Sequence, residues 1–378
     1  MLISSFRSIV LRINSLLEYI VSGLQQQICP KIHTLFLCYM QKNAIFVKTN
    51  LMEMSVRKIT GVLMGFFVFM AIQAQTPLEC GYGSINEQDA RRIVSLLASD
   101  SLQGRDAGTE GGRMAADFVS HFLSDCNMIV IEQPFKAVKN GNNWVTEADM
   151  DISELVAAGN ESRTLKNIVA LIPGIEERAV VIGAHYDHLG IDTTLIGDQC
   201  FNGADDNASG VSAVLQIARA MKASGAKPRR TVIFALWDGE EKGVLGSKYF
   251  VKNFPYMQNV DAYMNFDMIG RGPEEKPLHM SYLYTAGNPL FGEWLHADME
   301  NYGFSLEPFC KASENLLGGS DNIPFARAGV PIVWYHTEGH PDYHRPSDTA
   351  DKIDYRKLTD ITRVAYLCTW RLANELSY

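Results

Sequence analysis

The sequence predicts an α/β fold: a single domain whose central mixed, mainly parallel β-sheet carries helices on both faces. Three observations predict it. Strand-like and helix-like segments alternate between residues 85 and 376. Several strand-like segments, such as "VVIGA" (180–184) and "VIFALW" (232–237), are unbroken apolar runs, as expected of strands buried on both faces. No linker or shift in composition divides the stretch.

The elements follow in order. Residues 85–99 and 110–125 space their apolar side chains at helical intervals. Between them "DSLQGRDAGT" (100–109) is a polar, glycine-containing loop. Residues 128–135, 167–174 and 178–188 are short strands, and "NGNN" (140–143) is the turn of a hairpin. A helix is expected over 209–224, with Ser209 as its cap. Then come a strand at 230–237, a helix at 244–254 and strands at 261–270 and 331–337. A long helix over 354–376 closes the domain.

The N-terminus is a different kind of segment. From Met54, Arg57 and Lys58 precede an apolar run of about fourteen residues, which ends at small Ala74. This is the anatomy of a secretory signal peptide spanning 54–74. The run is shorter than the roughly 20 residues of a membrane span. A signal sits at a true N-terminus, so residues 1–53 are expected to be a spurious extension. The mature protein, 76–378, is then expected to be exported, periplasmic or extracellular, with no stable membrane association.

Removing 1–74 takes away seven Lys/Arg and two Asp/Glu. This leaves 27 basic and 41 acidic residues, a net charge of −14 against −9 for the whole chain. That balance argues against nucleic acid as a partner, because phosphate binding needs clustered cations. Five widely spaced cysteines remain, Cys80, Cys126, Cys200, Cys310 and Cys368, which is no disulfide framework and offers no thiolate metal site.

Function is concentrated where the strands end. In open α/β sheets, ligands bind beyond the carboxyl ends of strands. "VVIGA" runs into His185-Tyr186-Asp187-His188, and "VIFALW" into Asp238-Gly239-Glu240-Glu241. "AYMNF" runs into Asp267, and "PIVWYH" into a loop with His340, Asp342 and His344. "NGADDNASG" (202–210) sets Asp205 and Asp206 ahead of a helix. Singly, each has a plain explanation as a cap or a solvated turn. Together they deliver imidazoles and carboxylates to one sheet edge, a donor set suited to zinc. The set exceeds what one catalytic zinc needs, and two metals sharing a carboxylate would use it fully.

At these residues the chain resembles the M28 family of exported co-catalytic zinc aminopeptidases. The resemblance extends over 85–376 and rests on "HYD", "GADDNASG", "EEKGVLGS", "NFDMIG", "GSDNIPF" and "HRPSDT" in family order, with "LQGRDAGTEGG" typical of bacterial members. It implies a zinc-exopeptidase-like fold and two Zn2+ ions per chain acting on peptide substrates. It implies that His185 and Asp267 hold one zinc, that Glu241 and His344 hold the other, and that Asp206 bridges them. Glu240 is implied as general base, Asp187 as the carboxylate orienting His185, and Tyr343 as an oxyanion donor. Asp205 falls where the family varies and is read as a non-ligand, and His188 and His340 as hydrogen-bonding residues.

These roles make chemical sense. A base must sit beside the metals without being a ligand, so that it can take a proton from water and pass it to the leaving amine. A carboxylate beside a ligand imidazole fixes its tautomer. One departure is Asn322, where the family commonly has His after Ser-Asp; Asp321 is expected in the substrate pocket, shaped by loops 189–203 and 306–322. Two other functions fit the fold. One is a glutaminyl-peptide cyclotransferase-like enzyme with a single zinc, against which "GVLGS" favours the peptidase. The other is a non-catalytic binding ectodomain, against which the complete set of ligands and base stands.

Overall fold

The computed structural model describes residues 75–314 and 318–377. The expected signal peptide (54–74) and the extension before it lie outside the described residues. The chain divides into two compact units. Among the described residues the smaller comprises 75–83 and Met221–Ala226. Its helix Pro77–Tyr82 opens on a capping box, in which the Thr76 hydroxyl accepts the Glu79 N–H and the Glu79 carboxylate accepts the Thr76 N–H. The larger comprises Ser84–Ala220 and Lys227–Tyr378 and contains all the described strands.

Those strands are β1 (Ile129–Asn140), β2 (Asn143–Thr146), β3 (Ser162–Ile172), β4 (Ala179–His185), β5 (Gly190–Ile191) and β6 (Cys200–Phe201). They continue with β7 (Thr231–Trp237), β8 (Val260–Phe266), β9 (His279–Thr285), β10 (Glu307–Ser313) and β11 (Ile332–His336). Nine of them form one mixed sheet in the order β10-β9-β11-β8-β4-β7-β3-β1-β2, and β5 and β6 form a separate small ribbon. The central run β11-β8-β4-β7 is parallel, while β3, β1 and β2 add to it antiparallel. Every residue of β4 and β8 is buried, so the centre of the sheet is covered on both faces, as the apolar runs predict.

The parallel register aligns the strand exits. His185 pairs with Trp237, Gly183 with Asn265 and Tyr335 with Phe266. The residues that follow each strand therefore emerge at one edge.

Helices at Glu87–Leu97, Glu110–Asp125, Gly210–Ala223, Leu245–Asn253 and Tyr355–Asn374 match the expected segments within a few residues. The loop at 100–109 contains a 3-10 turn over Asp100–Arg105. Ser209 is not the cap of its helix. Asn207 Oδ1 accepts the Gly210 N–H at 3.0 Å, while Ser209 Oγ donates to the Asp205 carbonyl at 2.7 Å and accepts the Ile269 N–H at 3.0 Å. The Ser209 hydroxyl thus ties the pre-helical turn to the exit of β8 instead. The sequence reading also left out β9, β10 and the helix Leu290–Tyr302.

One glycine in the central strand is required by close approach. A Cβ on Gly183 would lie 2.7 Å from Trp237 Nε1 and 2.8 Å from Tyr263 Oη. Those two atoms are already hydrogen-bonded at 2.9 Å, and Tyr263 Oη donates onward to Asn265 Oδ1 at 2.7 Å. Gly183→Ala is expected to destabilise the protein by about 1–3 kcal/mol through overpacking. An unchanged urea midpoint would contradict this close packing.

Candidate metal centre

Four strand exits and one pre-helical turn build the centre. His185 ends β4 and is buried. Glu240 and Glu241 follow β7, Asp267 follows β8, and Tyr343 and His344 lie on the loop after β11. Asp206 lies in the irregular turn Ala204–Ser209, which begins at Gly203 in a left-handed conformation.

Asp206 occupies the middle. Its Oδ1 faces His185 Nε2 at 3.4 Å, and its Oδ2 faces His344 Nε2 at 3.1 Å. Asp267 Oδ1 approaches the same His185 nitrogen at 3.6 Å. Glu241 Oε2 approaches the same His344 nitrogen at 3.3 Å. Each half of the Asp206 carboxylate thus serves one imidazole–carboxylate pair. Donor atoms of His185, Asp206 and Asp267 lie within 4.8 Å of one another, as do those of His188, Asp206 and Glu241 and those of His185, Glu240 and Glu241.

Asp187 has a broader role than orienting His185. His185 Nδ1 meets the Asp187 main-chain carbonyl at 3.2 Å and its carboxylate only at 3.7 Å. The two Asp187 carboxylate oxygens instead accept the main-chain N–H groups of Glu240 (3.0 Å) and Glu241 (3.3 Å). This grip fixes the turn that carries both glutamates. The turn closes further as Gly243 and Val244 donate to the Glu240 carbonyl. The adjacent side chains can then diverge. Glu241 accepts from His188 Nδ1 at 2.7 Å and faces His344, whereas Glu240 lies beside His185 and Glu241 in a donor group without His344.

The charges in this cluster are strongly coupled. Burial opposes the charged form of His185, but the Asp187 and Asp267 carboxylates outweigh it and raise its pKa well above the ordinary value. Hydrogen bonds to Asp206 and Glu241 raise His344 to about 10. Burial, reinforced by the negative charge of Glu241, pushes Asp206 up. Burial also pushes Glu240 well up despite His185 beside it. Glu241 and Asp267 are buried too, yet their histidine partners hold both below the usual carboxylate range. Four carboxylates and two imidazoles that converge in this way compete for protons, and divalent cations between them would relieve the repulsion. The donor chemistry and the two-sided position of Asp206 therefore fit a pair of metal ions.

The surrounding residues fall into place as supports. Asp205 turns away from the cluster: its Oδ1 accepts the Gly270 N–H at 2.6 Å and its Oδ2 faces His340 Nε2 at 3.3 Å. Asp348, inside the "HRPSDT" stretch, accepts the N–H groups of Asp205 (2.9 Å) and Asp206 (3.1 Å). The sequence reading gave Asp348 no role, although its position four residues after His344 was a usable signal. His188 is fully buried and bonded to Glu241. Asp321 lies among the charges of the centre: beyond the effect of burial, its carboxylate raises the Glu240 pKa, and it interacts with His185 and Asp267. It is fully buried, with one carboxylate oxygen on the Ser247 hydroxyl, and burial lifts its pKa to about 7. Tyr343 is 46% exposed, and its ring stacks on that of His344 at 3.8 Å between centroids. The centre therefore opens to solvent on the Tyr343–His344 side.

The chain is similar to known proteins in sequence and in fold. The chain is 31% identical over 169 residues to leupeptin-inactivating enzyme 1 of Streptomyces exfoliatus, covering 44% of this chain and 34% of that protein. It is 28% identical over 218 residues to a probable leucine aminopeptidase of Arthroderma benhamiae, covering 55% of this chain and 57% of that protein. The chain thus spans about a third to somewhat over half the length of these curated relatives. Among solved structures it shares its fold with BSAP, a zinc aminopeptidase from Bacillus subtilis, at a TM-score of 0.60 and 16% identity over 77% of this chain and 96% of that one. It also shares the fold with the glutaminyl cyclase of Porphyromonas gingivalis, at a TM-score of 0.58 and 18% identity over 76% of this chain and 99% of that one. The model of peptidase family M28 matches residues 167–369, which hold all five candidate ligands and Glu240. More than half of the chain lies within that match, and the chain belongs to peptidase family M28.

Proposed function

We propose that the protein is a zinc metalloaminopeptidase that removes N-terminal residues from peptides with two metal ions per chain. The observation that carries this reading is the placement of Asp206, whose two carboxylate oxygens face His185 and His344 separately. His185 and Asp267 would hold one zinc, Glu241 and His344 the other, and Asp206 would lie between them. Zinc bound there would supply Lewis acidity, making water a stronger acid and a peptide carbonyl a better electrophile.

The protein's own groups do the rest. Glu240 takes a proton from the attacking water and returns it to the leaving amine. Asp187 holds the main chain of Glu240 and Glu241 so that the base and the ligand keep separate directions. Tyr343, on the exposed side, would donate to the oxyanion that forms as the carbonyl is attacked. Peptides enter past Tyr343 and His344, the open face of the centre. The apolar segment before Ala74 supports export to the periplasm or the extracellular space, with residues 1–53 as a spurious extension and 76–378 as the mature domain. Among the described residues no helix is long and apolar enough to cross a membrane.

A glutaminyl-peptide cyclotransferase-like reaction with one zinc is the second reading. It is favoured by the fold shared with the Porphyromonas gingivalis glutaminyl cyclase. One experiment separates the two: zinc quantification on the purified protein, alongside a fluorogenic aminoacyl and dipeptidyl panel with and without chelator. The expected result is two zinc ions per chain, with chelator-sensitive release of N-terminal residues. One zinc per chain with cyclisation of N-terminal Gln would overturn it.

A further inference from the structure

Arg105 sits in the loop between the first two helices of the larger unit and is 0% exposed. Each hydrogen bond its guanidinium makes among the described residues ends on a main-chain carbonyl. Nε donates to Tyr186 at 2.8 Å. Nη1 donates to Leu97 and Asn202, both at 2.6 Å. Nη2 donates to Gly203 at 2.9 Å and Asp206 at 3.4 Å. The Arg105 carbonyl in turn accepts the His188 N–H at 3.1 Å. The arginine reaches this position because the preceding residue has no Cβ. Gly104 has φ +64, and a Cβ there would lie 2.3 Å from the Gly190 carbonyl oxygen and 2.7 Å from that of Phe201.

Tyr186 lies between His185 and Asp187, while 202–206 is the turn that delivers Asp206. One planar fork thus spans the main chains of the two loops whose side chains meet at the centre. A buried cation costs solvation, and burial lowers the Arg105 pKa; the carboxylates of Asp206, Asp187, Asp348 and Glu241 offset that cost in part.

We propose that Arg105 is a positioning residue that sets the separation between His185 and Asp206, and with it the affinity for the metal ion that these two residues would share. This rests on the two-metal reading. Groups that orient metal ligands from behind typically contribute about 10–100-fold in metal affinity. Lysine cannot replace the fork, because its single ammonium cannot reach carbonyls on three segments at once.

The test is zinc affinity, measured by chelator competition on wild-type and Arg105→Lys protein, with melting of the metal-free forms recorded in parallel. The expected result is that the more weakly held zinc of the variant is lost at about tenfold or more lower chelator concentration. Wild-type zinc affinity in Arg105→Lys, whatever its melting temperature, would overturn the proposal and leave Arg105 a purely structural residue. If Arg105→Lys fails to fold, Asn202→Ala takes its place. The Asn202 side chain donates to the Ala98 carbonyl at 2.9 Å and to Asp100 at 2.8 Å, so its loss loosens one gripped carbonyl and leaves the guanidinium in place. A smaller loss of the same zinc is expected there, and an unchanged affinity would again overturn the proposal. A wild-type protein with one zinc would sink the two-metal reading separately, and the effect of Arg105→Lys on that one zinc would still decide for or against Arg105.

Discussion

Glu240→Gln is expected to lower turnover by about 10²–10⁴-fold while the zinc content stays at the wild-type value. At about 1.4 kcal/mol per factor of ten, this corresponds to roughly 3–5 kcal/mol of lost transition-state stabilisation. Glutamine keeps the shape of glutamate, so the packing and the main-chain grip from Asp187 survive. What disappears is the capacity to take a proton. The metal measurement matters as much as the rate, because Glu240 also shares a donor group with His185 and Glu241. If Glu240 were a ligand, its replacement would release zinc as well as abolish activity. If turnover were unchanged, the proton would have to move through another group, and the assignment of the base would fail. The steady-state split is informative too. A base that acts only in the transition state lowers kcat and kcat/KM together.

The same residues show how much of the molecule was legible in its sequence. β4, β7 and β8 could be read because strands buried on both faces are apolar over most of their length. The helix Glu110–Asp125 could be read because its buried residues, such as Ala115, Val119 and Phe122, recur on one face. β9 and β10 could not. β10 alternates exposed and half-buried residues at the sheet edge, and "EPFCKAS" carries no apolar run. The helix Leu290–Tyr302 buries Phe291, Gly292, Leu295 and Asp298 along one face, but glycine and aspartate there leave a weak apolar stripe. In the centre, side chains delivered by strand exits were legible, since sheet topology dictates where they converge. The supports were not. Arg105 meets Tyr186 across 81 residues and Asp206 across 101, through main-chain atoms that every residue possesses. Asp187 was linked to its neighbour His185, yet its carboxylate grips a turn 53 residues away. Contacts made to main-chain atoms leave no pattern of residue types to read.

Asp206→Asn should have the largest effect on the metals, with the sign of its stability effect reversing between the metal-free and zinc-loaded protein. Asparagine preserves the volume of the side chain but is neutral and offers one acceptor oxygen where aspartate offers two. The face toward His185 and the face toward His344 can no longer both be served. Zinc content is expected to fall from two ions to one or none, with affinity lost by more than about 100-fold, beyond what supporting residues cost. Stability runs the other way without metal. In the metal-free protein Asp206 is buried beside Glu241, and both burial and that negative charge disfavour its ionised form. The net shift of Asp206 is upward even with His188, His344 and His185 favouring its charge, so the relief of repulsion outweighs the loss of those contacts and metal-free Asp206→Asn is expected to melt above the metal-free wild type. Zinc should then raise the wild-type melting temperature strongly, since a ligand at 100 times its Kd stabilises by about 2.7 kcal/mol. The variant should respond much less, and the two melting curves should change order as zinc is added. Two tightly held zinc ions in Asp206→Asn would show that Asp206 does not bridge. A variant that melts below wild type in both states would show that its carboxylate is held by structural bonds and not tensioned against Glu241. Crossing curves would tie the cost of assembling these carboxylates in the absence of metal to the affinity that they give once it is bound.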